Sequence, residues 1–176
     1  MNFHLAHLGD VLLFFEDEAL VRFHPLLSRT WSRIGERKEV GTADNHGKSA
    51  VFGSVNPFSG EVIHTYANSI NQVGFLTHLE QLKQKYLDKT MIIVLDNCKS
   101  HFTQKVQKFL EANKNFFLLF LPPYSPNLNV IERLWREMRK NITNNFLFQS
   151  LEEVKDAVGA YLNVLAPDEV KKICAI

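Results

Sequence analysis

Residues 90–121 read TMIIVLDNCKSHFTQKVQKFLEANKNFFLLFL, and this stretch decides the fold. Thr90 to Leu95 is an uninterrupted apolar run, the pattern of a strand covered on both faces. Ser100 to Asn113 sets Phe102, Val106, Phe109 and Leu110 at helical spacing, and Phe116 to Leu121 returns to a strand that Pro122-Pro123 stops. Strand, helix, strand is a crossover unit, so the two strands pair in parallel within one sheet. The first of them ends in Asp96-Asn97, and the carboxyl ends of such strands are where these sheets bind ligands.

Upstream, Asp10 to Glu16 is another continuous apolar strand and belongs in the middle of the sheet. Arg22 to Lys48 is polar, basic and irregular, with Trp31 isolated between Arg29 and Arg33, and reads as an excursion or loose hairpin. Ser49 to Val55 and Glu61 to Ala67 flank Asn56-Pro-Phe-Ser-Gly60, a hairpin signal. From Asn68 to Tyr86, Phe75, Leu76, Leu79, Leu82 and Tyr86 mark the buried face of an amphipathic helix. Downstream, Ile131, Leu134, Trp135, Met138 and Ile142 mark one face of a helix opening near Asn129, and a last helix spans about Leu151 to Val164. An antiparallel meander followed by two α/β units and closing helices gives an α/β fold: a mixed central sheet with helices on both faces.

Composition sets bounds on function. The 176 residues with 45% apolar content suffice for one good core, so residues 1–176 are expected to form a single domain. No apolar run approaches the roughly 20 residues that cross a bilayer, and Met1-Asn-Phe-His-Leu-Ala-His lacks the basic start of a secretory signal. A cytoplasmic location is expected. Cys98 and Cys174 form no C-x-x-C pair, and His4 and His7 lack the context of a zinc hydrolase. With a net charge of +1, any nucleic-acid surface must be a local patch.

Three acids stand at the edges of apolar segments where folding alone asks for none: Asp17, Asp96 and Glu132. The period of two puts Leu13, Phe15 and Asp17 on one face of the first strand and Phe14, Glu16 and Glu18 on the other. On local grounds Glu16 or Glu18 serves as well as Asp17, and Asp96-Asn97 is also good turn and helix-cap chemistry. Glu132 alone reads equally as an ion pair with Arg136, worth about 0.3–0.5 kcal/mol on a helix surface. His101 reads as a helix-surface histidine and Trp135 as a core anchor.

Together the segments resemble the DDE transposases of the mariner superfamily, in the branch carried by bacterial insertion sequences. Leu121-Pro-Pro-Tyr-Ser-Pro-Asn-Leu-Asn-Val-Ile-Glu-Arg-Leu-Trp135 is similar to the family's P-P-Y-S-P-x-L-N-P-I-E-x-x-W signature, with Val130 in place of its usual proline. Asp96-Asn-Cys-Lys-Ser-His101 is similar to the D-N-x-x-x-H motif, and Phe15-Glu-Asp-Glu18 to a hydrophobic strand ending in D-E. The interval from Asp96 to Glu132 is similar to the family's spacing. The resemblance selects Asp17 among the three neighbouring acids.

What it implies is an RNase H-like fold and a site in which Asp17, Asp96 and Glu132 are both catalytic residues and ligands of two Mg²⁺ (or Mn²⁺) ions, with Asn97 and His101 in support. The implied reaction is cleavage of a phosphodiester at a transposon end and strand transfer into target DNA. The implied partner is double-stranded DNA, transposon end and target alike, with a possible homodimer, action at the bacterial nucleoid, and neither membrane nor small-molecule substrate. Phosphate contacts are expected from Arg133, Arg136, Arg139 and Lys140 on the late helix and from Arg29, Arg33, Arg37 and Lys38 in the excursion. Those bases read equally as an ordinary solvated face. Family members carry helix-turn-helix modules ahead of the first acid, and the chain is expected to lack them. Two other readings stay open, an RNase H-type nuclease and an orphan or domesticated binding domain without transposition activity.

Overall fold

The computed structural model describes residues 10–36, 39–41 and 47–176. Strands β1 (Val11–Arg22), β2 (Lys48–Asn56) and β3 (Glu61–Ala67) are followed by helix α1 (Gln72–Lys85) and strand β4 (Thr90–Leu95). Helix α2 (Gln104–Ala112), strand β5 (Phe116–Phe120) and helices α3 (Ile131–Met138), α4 (Leu151–Val164) and α5 (Pro167–Ile173) complete the order. The five strands form one sheet in the order β3-β2-β1-β4-β5. Its β1–β2 and β2–β3 pairs are antiparallel, and its β1–β4 and β4–β5 pairs are parallel. β1 is central and the crossover strands are parallel, as the sequence reading requires.

The alternation along β1 divides the core in two. Phe15, Ala19 and Val21 pack beneath α3, α4 and α5 with Ile131, Leu134, Trp135, Val158 and Val170. Phe14 faces the other way, into a cluster with Phe75, Leu79 and Leu82 of α1 and Val106 and Phe109 of α2. Helices therefore cover both faces, and Asp17 lies on the α3 side while Glu16 and Glu18 lie on the α1 side.

Four boundaries differ from the sequence reading, each for a visible reason. β1 does not stop at Glu16; β2 pairs with it as far as Arg22, which puts Asp17 and Glu18 inside the strand. α1 starts at Gln72 rather than Asn68, because the Asn71 side chain accepts the Val73 and Gly74 N–H groups at the helix entrance. Lys99–Phe102 forms a separate 3-10 turn before α2, and Phe102 points outward to stack on Phe120 with centroids 4.5 Å apart. The late helix turns π-helical over Arg139–Thr143, and α5 follows it and α4 as an additional element. Between β1 and β2 the described residues form no hairpin. Leu26 bridges to Asn144, and the Asn145 side chain accepts the Ser28 N–H at 2.9 Å.

α3 approaches the sheet closely because Gly53 of β2 has no side chain. A Cβ there would sit 2.5 Å from Trp135 Cη2 and 3.2 Å from Ile131 Cδ1. Gly53 is the antiparallel partner of Asp17, so this contact sets the height of Glu132 above Asp17. Gly53→Ala is expected to destabilise the protein by about 1–3 kcal/mol through overpacking, read as a lower midpoint in urea at unchanged slope.

Candidate metal and nuclease site

Asp17 is held in mid-strand. The parallel register pairs Phe15 of β1 with Val94 of β4, so two residues further along, each strand carries an aspartate, Asp17 on one and Asp96 on the other. Asp96 follows the last residue of β4, and its Oδ1 accepts the Cys98 N–H at 2.8 Å, a local turn that orients the carboxylate. Asn97 Nδ2 donates to the Leu121 carbonyl at 2.6 Å and ties this end of β4 to the chain leaving β5.

Glu132 lies in the first turn of α3. The approach to that helix is fastened to β1 by the buried Asn129, whose Nδ2 donates to the Glu16 carbonyl at 2.8 Å. The three acids thus come from β1, β4 and α3 and line one cleft of about 500 Å³, whose outer wall is Pro122–Pro126. In that wall Tyr124 is fully exposed at φ 58°, a left-handed conformation uncommon for a residue with a side chain.

Crowding shows in the acidity of the site. Burial pushes the Asp17 carboxyl up to about 8, with further upward pressure from the negative charges of Glu132, Glu18 and Asp96. A cation in the cleft would reverse that pressure. The three acids offer oxygen donors only, which suits Mg²⁺ or Mn²⁺ rather than zinc, with the free Cys98 also on the cleft wall.

On the opposite face of β1, Glu16 is fully buried and neither carboxylate oxygen has a hydrogen-bond partner. Its acidity is weakened strongly, by burial first and then by Glu18, Asp17 and Asp96. His101, expected on a helix surface, is instead 2% exposed and faces both Glu18 and the backbone of Asp96. Trp135 is wholly buried, as a core anchor should be.

The basic residues divide. Arg29 and Lys140, distant in sequence, line one shallow surface cleft with Asn144 and Asn145, because the excursion docks on the chain after the π turn. Lys140 also lies 3.5 Å from Glu137. Arg33 and Arg136 are exposed and Arg139 is half-buried. Arg133 donates to the Ala175 carbonyl near the carboxyl terminus. Arg37 and Lys38 lie outside the described residues. Sequence reading passed over Asn129 and Gly53. Asn129 stood in the quoted signature without a role, and Gly53 shows its purpose only when α3 is placed over it.

A mixed sheet in this strand order, flanked by helices and carrying acids on its central strand, just past the adjacent strand and on a late helix, has the RNase H-like architecture. The profile of the DDE superfamily endonuclease family matches residues 12–155, and the chain belongs to that family. It is 29% identical over 156 residues to a 39 kDa protein of insertion element IS630 from Shigella sonnei, covering 88% of this chain and 46% of that protein. An uncharacterised Sinorhizobium fredii protein, y4pE/y4sA, is 30% identical over 127 residues, 72% of this chain and 90% of its own. The chain thus spans about half the length of the insertion-element protein. Among solved structures, the mariner Mos1 paired-end complex with Mg superposes with a TM-score of 0.72 at 19% identity, covering 93% of this chain and 51% of that one. The Mos1 paired-end complex with the left transposon end gives 0.71 at 19%, covering 97% and 52%. Among the described residues no helix is long and apolar enough to cross a membrane.

Proposed function

We propose that this chain is the catalytic part of a DNA transposase, in which Asp17, Asp96 and Glu132 hold two Mg²⁺ or Mn²⁺ ions and direct phosphodiester cleavage at a transposon end, followed by joining to target DNA. The observation that carries the reading is the meeting of these three carboxylates, from β1, β4 and α3, on one open cleft. Bound there, a pair of divalent ions would supply charge neutralisation for an in-line displacement at phosphorus. The chain's own contribution is to hold the acids. β1 fixes Asp17, the Asx-type turn at Cys98 fixes Asp96, and the Asn129 tie and the Gly53–Trp135 contact fix Glu132.

The substrate is double-stranded DNA and the acting form a homodimer at the bacterial nucleoid. The family membership and the likeness to Mos1, solved as a paired-end complex with a transposon end, support this. Plasmid nicking that requires Mg²⁺ or Mn²⁺ tests the reaction; cleavage supported by zinc alone, or none with any of these ions, counts against it.

Arg29 and Lys140 are proposed to grip the DNA backbone at their shared cleft. Phosphate contacts give affinity with little sequence information. Replacing both with Ala is expected to weaken binding equally for transposon-end and random duplexes and to flatten the salt dependence by about one unit per lost contact. Fluorescence anisotropy at several salt concentrations reads both effects; an unchanged slope would place the DNA elsewhere.

A further inference from the structure

We propose that His101 is a positioning residue for Asp96, clamped from behind by Glu18. This rests on the metal-site reading above. Asp96 sits one residue past the end of β4 and two past the last β1–β4 pair, Phe15 with Val94, and its side chain is 57% exposed. Something must keep that backbone against β1. The His101 ring reaches the Asp96 carbonyl with Nδ1 at 3.2 Å and the Glu18 carboxylate with Nε2 at 3.2 Å.

A carbonyl oxygen only accepts, so Nδ1 carries a proton and donates to Asp96; the bond to Glu18 takes a second proton, lying between Nε2 and the Glu18 carboxylate oxygen. Glu18 lies inside β1, paired with Phe52 of β2, and is therefore a fixed post. Phe75 of α1 packs on the imidazole with centroids 4.3 Å apart and leaves the ring one orientation. The link runs from the central strand, through Glu18 and His101, to the peptide of Asp96. It lies on the α1 face, and Nδ1 also stands 3.7 Å from the Asp96 Oδ1 that accepts the Cys98 N–H.

Glu18 and His101 of this link, together with Glu16, bring ligand atoms within 4.8 Å of one another. An ion there is the competing account of the cluster. The two accounts differ in what occupies the cluster, which the zinc measurement below decides.

The test measures Mn²⁺ binding by calorimetry, together with thermal melting and nicking rate as a function of Mn²⁺. His101→Leu keeps the packing on Phe75 but removes both hydrogen bonds. It is expected to weaken Mn²⁺ binding about 10–100-fold, the usual effect of losing an outer support. His101→Asn, whose Nδ2 can replace the Nδ1 donor, is expected to recover most of that loss. Glu18→Ala is expected to weaken binding at least about 10-fold and Glu18→Gln, which still bonds the ring, only about 3-fold or less; this pair decides the matter if His101→Leu does not fold. Lowered melting temperatures with Mn²⁺ affinity unchanged in His101→Leu and Glu18→Ala would overturn the clamp and leave the metal site standing. Stoichiometric zinc in the purified wild-type protein, lost in Glu18→Ala, would overturn it in favour of an ion at the cluster. Wild-type protein that binds no Mn²⁺ would overturn the metal reading and the clamp with it.

Discussion

Asp96→Asn protein is expected to lose metal-dependent DNA cleavage by on the order of 10³-fold or more while folding normally. The substitution preserves shape and can still accept the Cys98 N–H through its side-chain oxygen, so the turn that follows β4 should survive. What disappears is one of the negative charges on which a divalent ion depends. Asp96 is largely exposed and lies beside Asp17 and Glu16, whose carboxyls its charge disfavours; removing it should leave the melting temperature equal or slightly higher. Plasmid nicking and thermal melting on the same preparations check both halves. Strong destabilisation with activity retained would make Asp96 a structural residue.

The metal-free protein is expected to lose stability as pH rises from about 4 to about 8, with Asp17 and the buried Glu16 acting in the same direction. The Asp17 carboxyl is pushed up to about 8 in the folded chain, against 3.8 as the ordinary value. Between those values the unfolded chain ionises while the folded one keeps its proton, so each step up in pH favours unfolding. The stabilisation present at low pH is lost once pH passes the folded value, a difference of about 2–5 kcal/mol between pH 5 and pH 9. Asp17→Asn should flatten the curve in part, leaving the slope due to Glu16, and be more stable than wild type at pH 8 in EDTA. Millimolar Mg²⁺ should restore wild-type stability at pH 8 and leave Asp17→Asn little changed, because a ligand for the folded state alone stabilises it. Denaturant midpoints from pH 5 to pH 9, with EDTA and with Mg²⁺, give the comparison. Parallel curves for wild type and variant would show that Asp17 is not held against its neighbours.

The parts of this fold that were legible in sequence are those governed by local periodicity. The apolar runs of β4 and β5 and the helical spacing between them imply the parallel crossover, and the alternation in β1 separates Asp17 from Glu16 and Glu18. Boundaries set by tertiary partners were not legible. β1 continues past Glu16 only because β2 returns alongside it to Arg22, and nothing in Leu20-Val21-Arg22 announces that pairing. α5 was legible in principle, from Pro167 at its start, Asp168 and Glu169 in its first turn and Lys171 and Lys172 in its last.

The acids of the site were singled out by their positions at the ends of apolar runs and by their resemblance to known motifs, and the fold brings all three to one cleft. Among their supports only Asn97 and His101 were implied, by the resemblance, and the contacts of Asn129, His101 and Gly53 were not legible, since each acts across a long sequence interval. Asn129 reaches the backbone of Glu16, His101 reaches Glu18, and Gly53 makes room for Trp135. A histidine in a polar turn has no local mark to show that it will be buried between a carboxylate and a carbonyl.

The central claim is that Asp17, Asp96 and Glu132 together bind the divalent ions. The most direct test is to locate Mn²⁺ by anomalous scattering from crystals grown or soaked with it. Manganese is expected in the cleft, with carboxylate oxygens of Asp17, Asp96 and Glu132 at about 2.0–2.3 Å and none in Asp96→Asn crystals treated alike. Manganese held by Glu16, Glu18 and His101 with the cleft empty, or no manganese at any carboxylate, would contradict it.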